Sequence, residues 1–412
     1  MDHPITILGA GAVGLCCALS LAERGHAVRL IDRQEPGRET SFGNAGVISP
    51  WSIIPQSMPG LLKQIPGLLT DRDKTLRIHA RHWPAMVPWG LRFLAQGRVA
   101  RVREIVDAME HLCGPSVDLY RRHLQGTGQE HLVQDSFYIH AFRKAEKADI
   151  TALGYALRGE KGAEMEVVEG GALRELEPGL SEAFKAAILI KGQARALSPG
   201  EICDALAAKA RGLGVEIIRD EVEALQQGET GWSVRCKGDS YEAARVVIAM
   251  GVWSKTLLQG LGMKVPLQAE RGYHVEFRNP GVSLNHSVMD VDRKVVLSRM
   301  NGGIRIAGQA EFAAIDAPPD PSREAILTDA ASDALRGLNT QDGKLWMGQR
   351  PSFPDSLPAI GEVPERPGLF TCFGHSHYGL MMAPKSGEVV ADLIEDRRSN
   401  ADLAPYAITR FA

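Results

Sequence analysis

Short apolar runs separated by glycines give the chain its first outline. Residues 4–8 form a run of the kind a buried parallel strand needs, and residues 27–31 form another that ends at Asp32. Between them GAGAVG (9–14) leads into a helical stretch reaching about Arg24, with Gly25 suited to its C-cap. Residues 243–251 make a third buried strand ending in glycine, and residues 214–225 before it alternate like paired strand segments. Residues 137–140, 272–277, 295–298 and 304–308 predict further strands, and residues 388–395 a terminal helix. The eighteen uncharged residues 5–22 have the length of a membrane span or a signal-peptide core. Only Asp2 and His3 precede them, so the positive flank of a signal is missing, and Gly9, Gly11 and Gly14 inside them predict strand, turn and helix instead.

Composition narrows the class. With 412 residues, 44% hydrophobic and 24% charged, the chain is long enough for two domains with sizeable cores. A net charge of −3 argues against a nucleic-acid partner for the chain as a whole. Six cysteines without a CxxC pair suit neither a disulfide framework nor a zinc site, and a reduced, cytoplasmic setting fits them. Cys16 and Cys17, adjacent on the first helix, are expected to pack as small apolar residues.

The glycine-rich turn sits in the context that gives such a motif meaning. Gly9 permits the tight turn, Gly11 lets the backbone approach a pyrophosphate, and Gly14 keeps the helix close to the sheet. The helix N-terminus, beginning with Ala12 and Val13, offers N–H groups and a positive dipole end to phosphates. Asp32, 18 residues past Gly14, stands where a carboxylate accepts ribose hydroxyls. Its charge argues against a 2′-phosphate, although Arg33 beside it points the other way. This much predicts a dinucleotide and leaves FAD and NAD both open.

The blocks that follow are TSFGNAGVISP (40–50), VVIAMGVWS (246–254), RGYHVEF (271–277), RIAGQAEF (305–312), GQRP (348–351) and the loop running from Phe373 to Gly387. In that order they resemble the D-amino acid oxidase-like superfamily of FAD-dependent oxidoreductases, with bacterial D-amino acid dehydrogenases as the nearest likeness and glycine oxidase as a cousin. The resemblance implies that Ser41, Asn44, Ala45 and Gly46 line the flavin. It implies that Val222, Gly251 and the nearby Trp253 contact the adenosine half. It also implies that Gly374, His375, His377, Gly379, Leu380 and Met381 deliver backbone N–H groups to the pyrimidine edge. Preorganised donors there stabilise the charge of the reduced flavin as it develops. Glycine oxidases carry arginine where this chain has His377.

On the substrate side the resemblance assigns Arg350 to the substrate carboxylate, a task suited to a planar fork that keeps its charge. Tyr273 and Tyr378 are further catalytic-site candidates. His274, next to Tyr273, would point to the other face of a strand, but is also retained as a candidate. His375 and His377 lack acidic neighbours in sequence, so no metal is expected. Sarcosine oxidases bind their flavin through a cysteine shortly after the segment matching GQRP; here Ser352 to Ser356 contains none, so the FAD is expected to be noncovalent.

Residues 61–103 differ in character, with nine basic residues against two acidic ones. Trp83, Met86, Val87, Leu91 and Leu94 recur at near-helical spacing, while Pro84 and Pro88 argue against a continuous helix. A basic, Trp-bearing amphipathic segment suits an anionic membrane surface; a solvated helical cover over the substrate domain is the other reading. The overall expectation is an α/β chain, with a Rossmann-like FAD-binding domain (1–60, 191–261 and 341–412) and an α+β substrate domain (61–190 and 262–340) built on a mixed or antiparallel sheet. It would oxidise D-amino acids to imino acids and then 2-oxo acids, passing electrons to a quinone or another acceptor. The alternative keeps the chemistry with a secondary or cyclic amine such as D-proline, or with O₂ as acceptor. The location would be cytoplasmic, with possible peripheral contact with the inner membrane through 61–103.

Overall fold

A computed structural model describes residues 3–411 of the chain. The strand Ile5–Leu8 lies near the centre of a six-stranded sheet, between Val28–Asp32 and Arg245–Ile248 and parallel to both. Glu216–Arg219 extends one side, Leu369–Phe373 the other, and Ala359–Glu362 closes that second edge in antiparallel sense. Successive residues of the central strand serve opposite cores, as the two-residue period of a strand requires. Ile5 and Ile7 pack under the helices Ala12–Ala22, Pro199–Gly212 and Gly379–Ile394. Leu8 packs on the other face with Trp232 and Val234, from a three-stranded antiparallel sheet. With both faces covered, continuous apolar runs replace alternation.

The helix Ala12–Ala22 is buried almost all round, with Cys16 and Cys17 fully enclosed, as the sequence predicts. Its neighbour Gly379–Ile394 approaches so closely that a Cβ on Gly387 would stand 2.5 Å from the Cys16 carbonyl oxygen. This second helix begins at Gly379, well before the start expected near Glu388. Proline at 384 frees the Leu380 carbonyl four residues back, and the buried Tyr120 hydroxyl donates to that oxygen at 2.7 Å. A tertiary hydrogen bond replaces the lost helical one.

The second layer is a ten-stranded mixed sheet. Its central order runs Lys344–Ser352, Gln268–Phe277, Gly303–Phe312, Val295–Met300, Ser287–Asp290, Val133–Phe142 and Ala186–Ala196. Ser287–Asp290 runs parallel to Val133–Phe142, which makes the sheet mixed. All four strands expected here exist, each longer than the sequence suggests.

Three expectations need correction. The segments within 214–225 are not paired with each other: Glu216–Arg219 joins the parallel sheet, while Val222–Gln227 joins the three-stranded one. Trp83–Ala95 is one continuous helix despite its prolines. Pro84 occupies the first turn, where an N–H has no helical partner anyway, and Pro88 is exposed, so water can serve the carbonyl it frees. The expected division of the chain also cuts across hydrogen bonding. Lys344–Ser352, grouped with the FAD-binding part, pairs along its length with Gln268–Phe277, and Ala186–Ala196 runs through the boundary at 191. Helices Val99–Cys113 and Ser116–Leu124, grouped with the substrate part, share the core of the first helix.

The Gly387 contact gives a direct test. Gly387→Val should lower stability by about 1–3 kcal/mol through overpacking against a backbone that cannot yield, read as a shift in urea midpoint with an unchanged slope.

Candidate active site

One cavity of about 1060 Å³ runs along the carboxyl ends of the parallel strands and under the edge of the large sheet. Its inner end is built by the glycine turn. Gly9 adopts φ +103, and a Cβ there would meet the Ala249 carbonyl at 2.5 Å. A Cβ on Gly14 would strike the Gly9 carbonyl, so these two glycines make the turn while Gly11, Ala12 and Val13 line the cavity. Ser41 Oγ accepts from the Ala12 N–H at 3.0 Å, tying the 40–46 segment to the helix start.

Asp32 lines the same end. Its two oxygens accept from the Ala10 and Gln34 N–H groups at 2.6 and 2.9 Å, and burial pushes its carboxyl above the usual range. Arg33 is paired with Glu39 at 2.6 Å and stacks 4.1 Å over the Trp253 ring, so its charge has a partner already. Val222, Gly251 and Trp253 line the cavity beside them, and a Cβ on Gly251 would meet no protein atom.

The middle of the cavity is walled by Ser41, Gly43, Asn44 and Ala45. Gly46 is not part of the lining; its φ of +78 makes the turn, closed by Asn44 Oδ1 accepting from its N–H at 2.8 Å. The support behind this segment was invisible in the sequence. Buried Arg305, paired with Glu276 at 2.6 Å, donates to the carbonyls of Asn44 and Phe42 at 2.6 and 3.1 Å.

His274 belongs to that support and not to the cavity wall. Its Nδ1 lies 3.1 Å from the Gly43 carbonyl oxygen and its ring stacks on Trp346, while burial holds the imidazole down at about 3. Tyr273 reaches the cavity lining, but its hydroxyl is engaged elsewhere: it donates to buried Glu311 and accepts from the Asp320 N–H. His274 Nδ1 and the Tyr273 hydroxyl thus both have protein partners.

The carboxy-terminal loop closes the other side. Gly374 takes φ +88 with the Phe353 ring where a Cβ would be, and Gly379, Leu380 and Met381 bring a helix N-terminus to the cavity. His375 is buried, lies 3.0 Å from Ser386 Oγ, and is held neutral by burial at about 3. Tyr378 donates to the Ile54 carbonyl at 2.7 Å and also lines the wall.

A residue the sequence reading missed organises the substrate end. Glu270 is 3% exposed, and its Oε1 lies 2.5 Å from His377 Nε2 and 3.0 Å from Arg350 Nη1, while Oε2 accepts from Ser352 at 3.0 Å. Burial alone would raise this carboxyl; His377, Arg350 and Ser352 outweigh it and hold Glu270 at about 2. Its contribution to stability is therefore present above the unfolded carboxyl value and lost as pH falls toward about 2. An ionised carboxylate only accepts, so His377 carries a proton on Nε2, facing Glu270. Arg350 also donates from Nη1 to the Gln309 carbonyl at 2.9 Å, which leaves Nη2 and Nε for a ligand.

Farther along the wall stand Tyr138, His140 and Arg158, none of them foreseen. Arg158 sits in a short helix, Leu153–Glu160, whose sequence looks like any surface turn.

The residues expected to hold the cofactor thus converge on one cavity, apart from Gly14 and Gly46, which shape its backbone. Residues 4–393 match the family described as DAO, FAD dependent oxidoreductase. The chain is similar to a D-amino-acid oxidase of Bradyrhizobium diazoefficiens, at 34% identity over 99% of this chain and 98% of that one. It is also similar to D-amino acid dehydrogenase 2 of Mesorhizobium japonicum, at 32% identity over 97% and 98%. Its fold matches the crystal structure of glycine oxidase from Geobacillus kaustophilus, with TM-score 0.76 and 24% identity over 99% of both chains.

Gly272 provides a check on this geometry. A Cβ there would stand 2.1 Å from Arg350 Nη2. Gly272→Ala should displace the guanidinium while leaving flavin absorbance intact, raising KM for substrate at least about tenfold, the cost of one weakened charged hydrogen bond.

Proposed function

Because the chain belongs to the DAO family of FAD-dependent oxidoreductases, we propose that it oxidises the Cα–N bond of D-amino acids, with Arg350 and the Glu270–His377 pair as its substrate-binding machinery. The names of the two relatives support that substrate class. When bound, FAD supplies the oxidation by accepting hydride from Cα.

The chain's own residues do the rest. The glycine turn, Asp32 and the segment Ser41–Ala45 hold the cofactor along the cavity, and the N-terminus of Gly379–Ile394 favours negative charge at its far end. Noncovalent attachment fits the thiols: Cys372, though it borders the cavity, is fully buried, and burial pushes its thiol far up. Arg350 holds the substrate carboxylate through Nη2 and Nε. His377 Nδ1 accepts the proton of the substrate ammonium, which frees the nitrogen lone pair to form the imine. Glu270 positions His377, fixes its tautomer and stabilises the imidazolium formed. The imino acid leaves and water hydrolyses it to the 2-oxo acid, while a cyclic secondary amine leaves as its cyclic imine.

The observation that carries this reading is the shared Glu270 oxygen, which places a carboxylate-binding fork beside an imidazole acceptor. The charged and titratable groups around His377 are Glu270 and Arg350 from the large sheet and Tyr378 next to it in the loop. Under anaerobic conditions, pooled D-amino acids including D-proline should bleach the flavin spectrum; no bleaching would withdraw the substrate class. His377→Gln should lower kcat/KM about 10²-fold or more, and unchanged kinetics would remove His377 from the role.

The dehydrogenase names among the relatives support an acceptor other than O₂. Our reading is a quinone reached at an anionic membrane surface through 61–103. Among the described residues no helix is long and apolar enough to cross a membrane. Leu61–Thr70 buries no residue, and Leu62, Trp83, Val87 and Leu91 expose between 44% and 66% of their surface. Lys63, Arg77, Arg81, Arg92 and Arg98 are exposed around them. The cavity lining continues out to Ile65, Leu68, Met86 and Leu94 between the two helices, which gives an apolar molecule a way in. The protein should sediment with phosphatidylglycerol vesicles at low salt and not with phosphatidylcholine. Leu62→Ser with Leu91→Ser should abolish this, and equal sedimentation of the double variant would rule the surface out.

A further inference from the structure

Arg158 is a cation turned toward the cavity with no acid beside it. Its Nε donates to the Trp51 carbonyl at 2.9 Å and its Nη1 to the Gly154 carbonyl at 3.1 Å, which fixes the guanidinium plane. The Tyr155 ring lies beneath it at 5.6 Å. Nη2 has no protein partner and Arg158 no ion pair among the described residues; its titratable neighbours include Tyr155, Tyr378, Tyr138 and His140. A cation this desolvated without a counter-ion is costly to maintain. By contrast, the charge of Arg350 is already balanced by Glu270.

A second observation points to the same place. His140 is 6% exposed and lines the cavity, and its Nε2 is a buried nitrogen without a hydrogen-bond partner. Its Nδ1 lies 2.7 Å from the Tyr155 hydroxyl. With Tyr155 donating to Nδ1, Nε2 carries the ring proton and is a donor without a protein acceptor. Tyr155 thus ties the orphaned nitrogen and the unpaired cation into one unit, and both groups lack an acceptor.

We propose that Arg158 and His140 form a distal anion subsite that reads a second carboxylate on the substrate side chain, so that the preferred substrates are acidic D-amino acids. The inference rests on the D-amino acid reading above and adds its side-chain class. The α-carboxylate docks on Arg350, and the distal carboxylate accepts from Arg158 Nη2 and His140 Nε2. A neutral side chain leaves both donors desolvated and unpaired, and this drives discrimination: sites built around buried polar groups reject ligands that fail to satisfy them far more strongly than apolar pockets reject a misfit.

The test uses the FAD-loaded enzyme and matched pairs, D-aspartate against D-asparagine and D-glutamate against D-glutamine. At least one acidic member should exceed its amide at least tenfold in kcat/KM. Arg158→Met should bring that ratio close to one while D-alanine turnover changes little. Binding supplies a readout independent of turnover: glutarate or succinate should bind the oxidised enzyme at least tenfold tighter than butyrate by calorimetry, and Arg158→Met should abolish the difference. Equal ratios in the native enzyme, or a ratio that survives Arg158→Met, would overturn the subsite. Should the variant fold poorly, the native ratios and dicarboxylate binding decide alone. Failure of every D-amino acid, neutral or acidic, to bleach the flavin would instead remove the reading beneath it.

Discussion

Two helices from opposite ends of the chain must touch backbone to backbone for this site to exist. Ala12–Ala22 and Gly379–Ile394 meet where Gly387 faces the Cys16 carbonyl, and only a residue without Cβ allows that approach. Their contact aims two helix N-termini into the same cavity, one from the glycine turn and one from the carboxy-terminal loop. A helix N-terminus favours negative charge, so the two ends of an elongated, anionic cofactor each find a matching partial charge. The Tyr120 hydroxyl donates to the carbonyl that Pro384 frees within the second helix.

At the Arg350 end of the cavity the large sheet meets this frame around one carboxylate. Glu270 comes from the strand Gln268–Phe277, Arg350 and Ser352 from the neighbouring strand, and His377 from the loop before the second helix. The two oxygens of Glu270 hold three side chains, Arg350, Ser352 and His377, and none of the segments involved would place its group alone. A buried charge pair of this kind is weak evidence for stability, because desolvation offsets attraction; its value lies in geometry. It sets the tautomer of His377 and presents the free edge of Arg350 in one orientation. Arg305 acts in a parallel way behind the flavin segment, gripping two carbonyls that the sequence presents only as a loop.

Much of the frame was legible because local physics writes it into short windows. The glycine turn, the apolar strands beside it and Asp32 all follow from periods and spacings that hold within a single βαβ unit. The blocks around Ser41–Gly46 and Gly374–Met381 carried their family likeness in contiguous residues, and most of them line the cavity. The failures are of another kind. His274 and Tyr273 sit inside a matching block, yet one stacks on Trp346 behind the flavin segment and the other gives its hydroxyl to Glu311. Pro84 and Pro88 looked like breaks because a window cannot see that one falls in the first turn of its helix and the other lies on an exposed face.

By itself, then, the sequence determined the dinucleotide turn, the order of the blocks and the family chemistry they imply, because each depends on residues close together in the chain. Tertiary structure alone decided which charges are balanced. Glu270 reads as one acid among many until it meets His377 and Arg350 across 80 and 107 residues. Arg158 reads as a surface arginine until its helix turns it inward, away from any carboxylate. Charge balance is a property of what folds alongside a side chain, and burial, which gives that balance its energy, exists only once the chain has closed around it.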